Sequence, residues 1–399
     1  MAPTRLPDPH SRPQRLAARQ KLKMARSAHA YMRGNTIKFY EWLENGGGGK
    51  APDGPPVWIC GDCHVGNLGP VANADGEIAI QIRDLDQTVI GNPAHDLIRL
   101  GLSLATAARG SDLPGVTTAL MLERMMEGYE QAIRPGRTAD GAMPDTVRVA
   151  LGQASKRTWR HLAEDRIEDV KPEIPLGARF WPLTDAEQSE VVALFGNKKI
   201  RRLITALKSR KKSDPVKVID AAYWVKGCSS LGRLRYAVLL RVGRGEGSKY
   251  CLIDIKEAIA PAAPFTPDAV MPQDNAERVV EGARHLSPHL GERILAARFL
   301  GRSVFLRELM PQDLKLEIEH ISHDEAVRAA HYLGKAVGLA HARQMTVATR
   351  RAWLKTLRRG RPKDLDAPSW LWSSIVELIV SHEAGYLEHC RRYALGEAA

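Results

Sequence analysis

Two short loops, each preceded by a run that reads as a strand, constrain this chain more than any other feature. The first is Gly61-Asp62-Cys63-His64-Val65-Gly66-Asn67-Leu68-Gly69-Pro70, after the apolar run Val57-Trp58-Ile59-Cys60. The second, Arg83-Asp84-Leu85-Asp86, follows the weakly alternating Ile78-Ala79-Ile80-Gln81-Ile82. Together they supply a carboxylate (Asp62), an amide five residues on (Asn67) and a second carboxylate after the next strand (Asp84). Hard oxygen ligands of this kind suit Mg²⁺, which keeps waters and shares its shell with substrate phosphates. A carboxylate beside such a pair can orient or deprotonate a hydroxyl for in-line phosphoryl transfer. Asp62 is therefore the candidate catalytic residue, and Asn67 and Asp84 are the candidate metal ligands. Asp86 is a secondary candidate, as a further ligand or a loop-capping carboxylate.

Bulk properties narrow the class. A chain of 399 residues can bury a substantial core and suggests two lobes. The net charge is +12, concentrated in residues 5–33, 198–212 and 350–363. Such patches attract polyanions, so nucleic acid and anionic lipid enter as alternative partners. Only 6% of residues are aromatic, and the basic runs lack the interleaved rings of a single-strand stacking platform. Five cysteines, an odd number, do not make a disulfide framework. No apolar run is long enough for a signal peptide or a membrane span, and a cytoplasmic protein is the expectation. Cys60-Gly61-Asp62-Cys63-His64 fits the c-type haem attachment pattern, but that chemistry expects an exported setting.

The pattern along the chain gives α, then β, then α again. Residues 1–20, broken by prolines, read as a flexible basic arm. Residues 21–215 read as the first part of a helical lobe, with helices over 20–42 (interrupted at Gly34), from 96 onward, and over 115–135, 142–165 and 187–207. Residues 216–310 read as a β-rich unit, in which Gly227-Cys228-Ser229-Ser230-Leu231-Gly232 turns between two strands and 250–256 forms a third. A helix is predicted over 275–285 and a strand over 303–309. Residues 311–399 are predicted to complete the helical lobe. On the polar side of the third strand, Lys256 either faces solvent or reaches a ligand.

The first segment resembles the catalytic half of the aminoglycoside phosphotransferase and choline kinase group of the protein-kinase-like superfamily. Gly61, Asp62, His64 and Asn67 match that group's His-Gly-Asp-x-His-x-x-Asn motif, with Cys60 where the group has His. Asp84, Gly91, Asp96 and Leu97 match its second motif. Nearly the whole chain also resembles an uncharacterised bacterial family, domain-of-unknown-function family twenty-two fifty-two. The resemblance carries Met32-Arg33-Gly34, 60–69, 83–100, 227–236, Lys256-Glu257-Ala258, 278–282, Arg307-Glu308-Leu309 and Ala340-His341-Ala342-Arg343.

These resemblances imply an α+β, bilobal, kinase-like fold and an ATP-dependent, Mg²⁺-dependent phosphotransferase acting on a small-molecule hydroxyl or amine. They imply nucleotide contacts from Gly227, Ser229, Ser230, Gly232 and Lys256, with Glu281 or Glu277 pairing with the lysine and Glu281 preferred. Because the catalytic motifs precede the β-rich unit, they further imply a circular permutation. The alternatives are a non-catalytic kinase-like module recruiting nucleic acid or membrane, and a protein kinase or nucleotidyl transferase on the same fold.

Overall fold

The computed structural model describes residues 8–47, 51–110, 113–136, 143–156, 173–228, 230–245, 248–310, 312–313, 322–359 and 367–393. The chain opens with helices α1 (Arg12–Met24), α2 (Ala28–Gly34) and α3 (Thr36–Glu44). Strand β1 (Val57–Ile59), the hairpin β2 (Leu68–Ala72) and β3 (Ile78–Ile82), and β4 (Val89–Gly91) follow. Helices α4 (Pro93–Gly110), α5 (Gly115–Ile133) and α6 (Asp145–Lys156) come next, then β5 (Phe180–Trp181), α7 (Asp185–Phe195) and α8 (Lys198–Ile204). The strands β6 (Val216–Trp224), β7 (Arg235–Val242) and β8 (Lys249–Glu257) precede α9 (Asn275–Leu286), α10 (Pro288–Gly291), β9 (Ile294–Phe299) and β10 (Arg302–Leu309). Helices α11 (His323–Ala342), α12 (Val347–Leu357) and α13 (Ser369–Tyr393) complete the described chain. The architecture is mixed helix and sheet. No helix among the described residues is long and apolar enough to cross a membrane.

The main sheet is antiparallel, in the order β5-β6-β7-β8-β10-β9. Successive residues of a strand face opposite sides, and β8 uses this fully. Cys251, Ile253 and Ile255 enter a core with Val191, Phe195, Ile200 and Ile204 of α7 and α8, whereas Leu252 joins a second cluster on the opposite face. Lys256 lies opposite Arg235 on β7 and Phe305 on β10, in the middle of the sheet.

The helical part forms around α4, α5 and α11, whose apolar residues join β1, β4 and α9 in the largest core. Helices α5 and α11 approach until their backbones touch. A Cβ on Gly334 would lie 2.0 Å from the Met125 carbonyl oxygen, and one on Gly128 equally close to that of His331. Gly334→Ala is therefore expected to lower stability by about 1–3 kcal/mol through overpacking, outweighing alanine's better helix propensity. Urea denaturation measures this, and an unchanged midpoint would mean that the two helices separate freely.

Some boundaries differ from the sequence reading. The expected arm over 1–20 contains α1, because Pro9 and Pro13 occupy first-turn positions where a missing N–H costs nothing. Leu16 is buried, and Arg12 pairs with Glu187 at 2.6 Å. The single helix expected over 187–207 is two, because Asn197 caps a new one through Lys199 N. The sheet begins at β5, upstream of residue 216. At the other end α13 holds α1: Tyr386 Oη donates to Ala25 O, and His389 Nε2 lies 2.8 Å from Lys21 O.

Candidate functional site

The first loop leaves β1 through Gly61, whose φ of +75° favours glycine and whose Cβ would sit 2.2 Å from Gln87 O. Asp96, in the first turn of α4, directs both oxygens at this loop, accepting from Cys60 N at 2.7 Å and Gly61 N at 3.0 Å. His341 of α11 places Nε2 3.1 Å from the same carboxylate and Nδ1 3.0 Å from Tyr129 Oη, which also accepts from Trp353 Nε1. Asp96 and His341 are wholly buried. Tyr40 Oη donates to Gly61 O. The loop backbone thus rests on a continuous buried polar chain from α4, α5, α11 and α12.

Arg99, three residues beyond Asp96 and wholly buried, holds Asp62. Its Nε donates to Asp62 Oδ1 at 2.9 Å and an Nη donates to Met32 O at 2.9 Å. Sequence reasoning missed this residue, although a charge within the apolar run 97–105 is a readable signal of a buried partner. Asn67 Nδ2 donates to Asp62 O at 2.9 Å, and Asn67 O accepts from Arg83 N at 2.7 Å. His64 lies 4.0 Å from the Asp62 carboxylate. Burial, then the nearby Arg33 and Arg99, push its pKa well below the usual imidazole range, so it is neutral.

At the second loop, Lys256 and Asp84 meet across 172 residues of chain, with the ammonium 3.1 Å from both Asp84 oxygens. It also lies 2.5 Å from Asp86 Oδ2. Lys256 is 2% exposed, which removes the solvent-facing alternative for this side chain. Burial works against ionisation of Asp84, but Lys256 and then Arg307 overcome it and hold the carboxyl well below its ordinary range. Asp86 moves the other way, up to about 6, through burial and then the Asp84 charge. Arg278 of α9 fixes the loop backbone by donating to Asp86 O at 2.9 Å and to Thr88 O. Cys60 Sγ lies 3.6 Å from Asp84 O, so the residue standing where the motif has His links the two loops. Arg307 donates to Arg83 O at 2.7 Å, and with Arg235 it pairs with the buried Asp254.

Glu281 does not meet Lys256. Its ion pairs are with Arg284 at 3.0 Å and His285 at 3.2 Å, on the exposed side of α9. Glu277 is also exposed. The helix instead approaches the lysine's partners through Arg278, one position from Glu277 and therefore on a different face.

Asn67, Asp84 and Gly227 line one cavity of about 300 Å³, together with Gly66, Lys23, Ala30, Arg33, Arg83, Lys226, Cys228, Arg235 and Arg307. Asp62 backs this wall through Asn67, and Lys256 backs it through Asp84. Gly227 and Gly232 both have positive φ, at +100° and +97°, and Ser230 is buried within the turn. Ser229 lies outside the described residues. Both thiols flanking Asp62, those of Cys60 and Cys63, are free and buried. Among the described residues no group of three or more His, Cys, Asp or Glu is placed to hold a metal. Asn67 and Asp84 are a pair, which suits an ion that takes its remaining ligands from water and phosphate.

Fold and site define a mixed α/β protein in which a central sheet lysine and two loop carboxylates converge beside a cationic cavity. A family model for an uncharacterized protein conserved in bacteria (DUF2252) matches residues 12–392, and the chain belongs to that family. No curated protein matches it, and neither does any solved structure.

Proposed function

We propose that the protein is a kinase-like, Mg²⁺- and ATP-dependent phosphotransferase with a permuted order of lobes. The observation that carries this reading is the meeting of Lys256 with Asp84 beside a cavity that Asn67 and Gly227 also line. The order of elements supports it. A glycine turn joins β6 to β7, the lysine lies on the next strand, and a helix follows, as in the nucleotide lobe of kinases. The carboxylate that the lysine meets comes from earlier in the chain, which is the order a permutation produces.

In this reading Asn67 and Asp84 would hold Mg²⁺, which when bound neutralises charge on the β- and γ-phosphates. Lys256 orients the phosphates at the wall that Asp84 forms, and the backbone around Gly227 covers them. Asp62 accepts the proton of the acceptor hydroxyl as the new O–P bond forms and the bond from phosphorus to the departing ADP oxygen breaks. Arg99 keeps Asp62 aimed through the bond to its Oδ1, while Asp96 and His341 fix the loop on which it sits. Burial and the nearby Arg33 and Arg99 make His64 hard to protonate, which leaves Asp62 as the proton acceptor.

Equilibrium binding of ATP with and without Mg²⁺, followed by ADP release with a panel of small hydroxyl and amine acceptors, tests the proposal. Mg²⁺-dependent binding is expected in the wild type and loss of it in Asp84→Ala, with ADP release lost in Asp62→Ala. A wild-type protein that neither binds nor turns over ATP defeats the reading. Steeply salt-dependent retention of RNA or anionic vesicles by that same inert protein would favour a recruiting module.

A further inference from the structure

The cavity carries more positive charge than a nucleotide needs. Its lining holds six cationic side chains, Lys23, Arg33, Arg83, Lys226, Arg235 and Arg307, against the single carboxylate of Asp84. Asp84 is engaged by Lys256, while Arg235 and Arg307 are matched by Asp254. Arg33 and Lys23, contributed by α2 and α1, have no carboxylate within ion-pair range among the described residues. Lys23 donates only to a neutral carbonyl, Gly227 O at 2.6 Å. Arg33 is only partly exposed, and its Nε is buried with no hydrogen-bond partner. A buried N–H donor left without an acceptor is costly unless a ligand group completes it.

Arg33 also sits on the Asp62 side of the cavity. A Cβ on Gly66 would lie 3.1 Å from its guanidinium carbon, so the group lies against the loop that carries the base. Arg99 bonds Asp62 with one N–H and the carbonyl of Met32, the residue before Arg33, with another. The last turn of α2 and the base are thereby one unit. Burial lowers the pKa of Lys23 and Arg33 adds to that effect, against the opposing influence of Cys228. A triphosphate already half neutralised by Mg²⁺ and facing Lys256 leaves these two cations unmatched.

The geometry points to Arg33 and Lys23 as the binding site for an anionic group, phosphate or carboxylate, on the acceptor itself. This assignment rests on the phosphotransferase reading and adds the substrate's chemistry to it: a hydroxyl or amine presented to Asp62 on a molecule that already carries negative charge. Arg33 supplies the planar fork suited to either anion. Lys23, held by Gly227 O at 2.6 Å, adds a second positive charge beside the same anion.

Calorimetry separates the outcomes. Protein saturated with Mg²⁺ and a non-hydrolysable ATP analogue is titrated with inorganic phosphate and, separately, with acetate. Wild type is expected to bind one of them at a single site, and the preferred anion identifies phosphate or carboxylate as the group recognised. Arg33→Ala should weaken that binding at least tenfold, Arg33→Lys should recover part of it, and Lys23→Ala should weaken it severalfold, with affinity for the analogue within twofold throughout. Nucleotide-loaded wild type that ignores both anions overturns the assignment and leaves phosphotransfer standing. So does an Arg33→Ala protein that loses the analogue as strongly as the anion, since Arg33 would then serve the nucleotide. Failure of wild type to bind the analogue brings down the phosphotransferase reading and the acceptor site with it. Should Arg33→Ala not fold, Lys23→Ala, at a partly exposed helix position, carries the same comparison.

Discussion

Lys256→Ala is expected to destabilise the protein by about 2–4 kcal/mol at pH 8, the cost of leaving the mostly buried Asp86 and the part-exposed Asp84 without their cation. The ammonium lies between Asp84 and Asp86, at 3.1 and 2.5 Å. Without it two carboxylates face each other, and Asp86 Oδ1 is already buried with no donor. The protein can relieve this only by keeping a proton on one of them. A carboxyl whose folded-state pKa lies above its unfolded value binds more protons in the folded state, so stability falls as pH rises from the unfolded value through the folded one. Asp86 already stands at about 6 with the lysine present, and removing the cation moves it higher. The penalty should therefore be smaller at pH 5 than at pH 8. Urea titrations of wild type and variant at both pH values measure it. Equal penalties at the two pH values would show that no carboxyl takes up the released proton, and a negligible penalty at pH 8 would show that the bridge contributes little to the fold.

Asp96→Ala should cost a similar amount, about 3–5 kcal/mol, for a different reason. The carboxylate satisfies two buried amides, Cys60 N and Gly61 N, and faces His341. Each orphaned donor costs about 1–3 kcal/mol, and the imidazole loses its acceptor as well. Asp96→Asn keeps one acceptor oxygen and should lose distinctly less. Hydrogen exchange at the Cys60 and Gly61 amides reads the effect directly: both should exchange faster in Asp96→Ala. Unchanged protection at these amides would assign their shielding to the surrounding core and not to the carboxylate.

The sequence made β1, β3, β6, β7, β8 and β10 legible because each alternates or runs apolar between glycine, proline or asparagine signals. The helices α4, α5 and α9 were legible through their 3.6-residue spacing. It did not reveal β2, whose Leu68-Gly69-Pro70-Val71-Ala72 contains two residues disfavoured in strands and pairs only with β3. Nor did it reveal the two-residue β5, which is too short to show a period. The pairing of Asp84 with Lys256 could be anticipated only through a resemblance, because nothing local at either residue names a partner 172 positions away. Glu281 was preferred on that same basis, and its local partners, Arg284 and His285, were readable from helical spacing alone. Arg99 stands within an otherwise apolar stretch, where a charge signals a backbone or carboxylate partner that the chain supplies from elsewhere. Arg278, beside Glu277 on a polar helix, carries no such local signal.

The contact of α1 with α13 has a consequence for biosynthesis. During synthesis the early helix α1 can meet Glu187 first and gains its α13 contacts only afterwards, and α1 carries Lys23 into the cavity wall. A nascent chain that has made Asp62, Asp84 and Lys256 but not yet α13 would hold α1, and with it Lys23, less firmly. Competence would thus trail the synthesis of the residues that carry the chemistry.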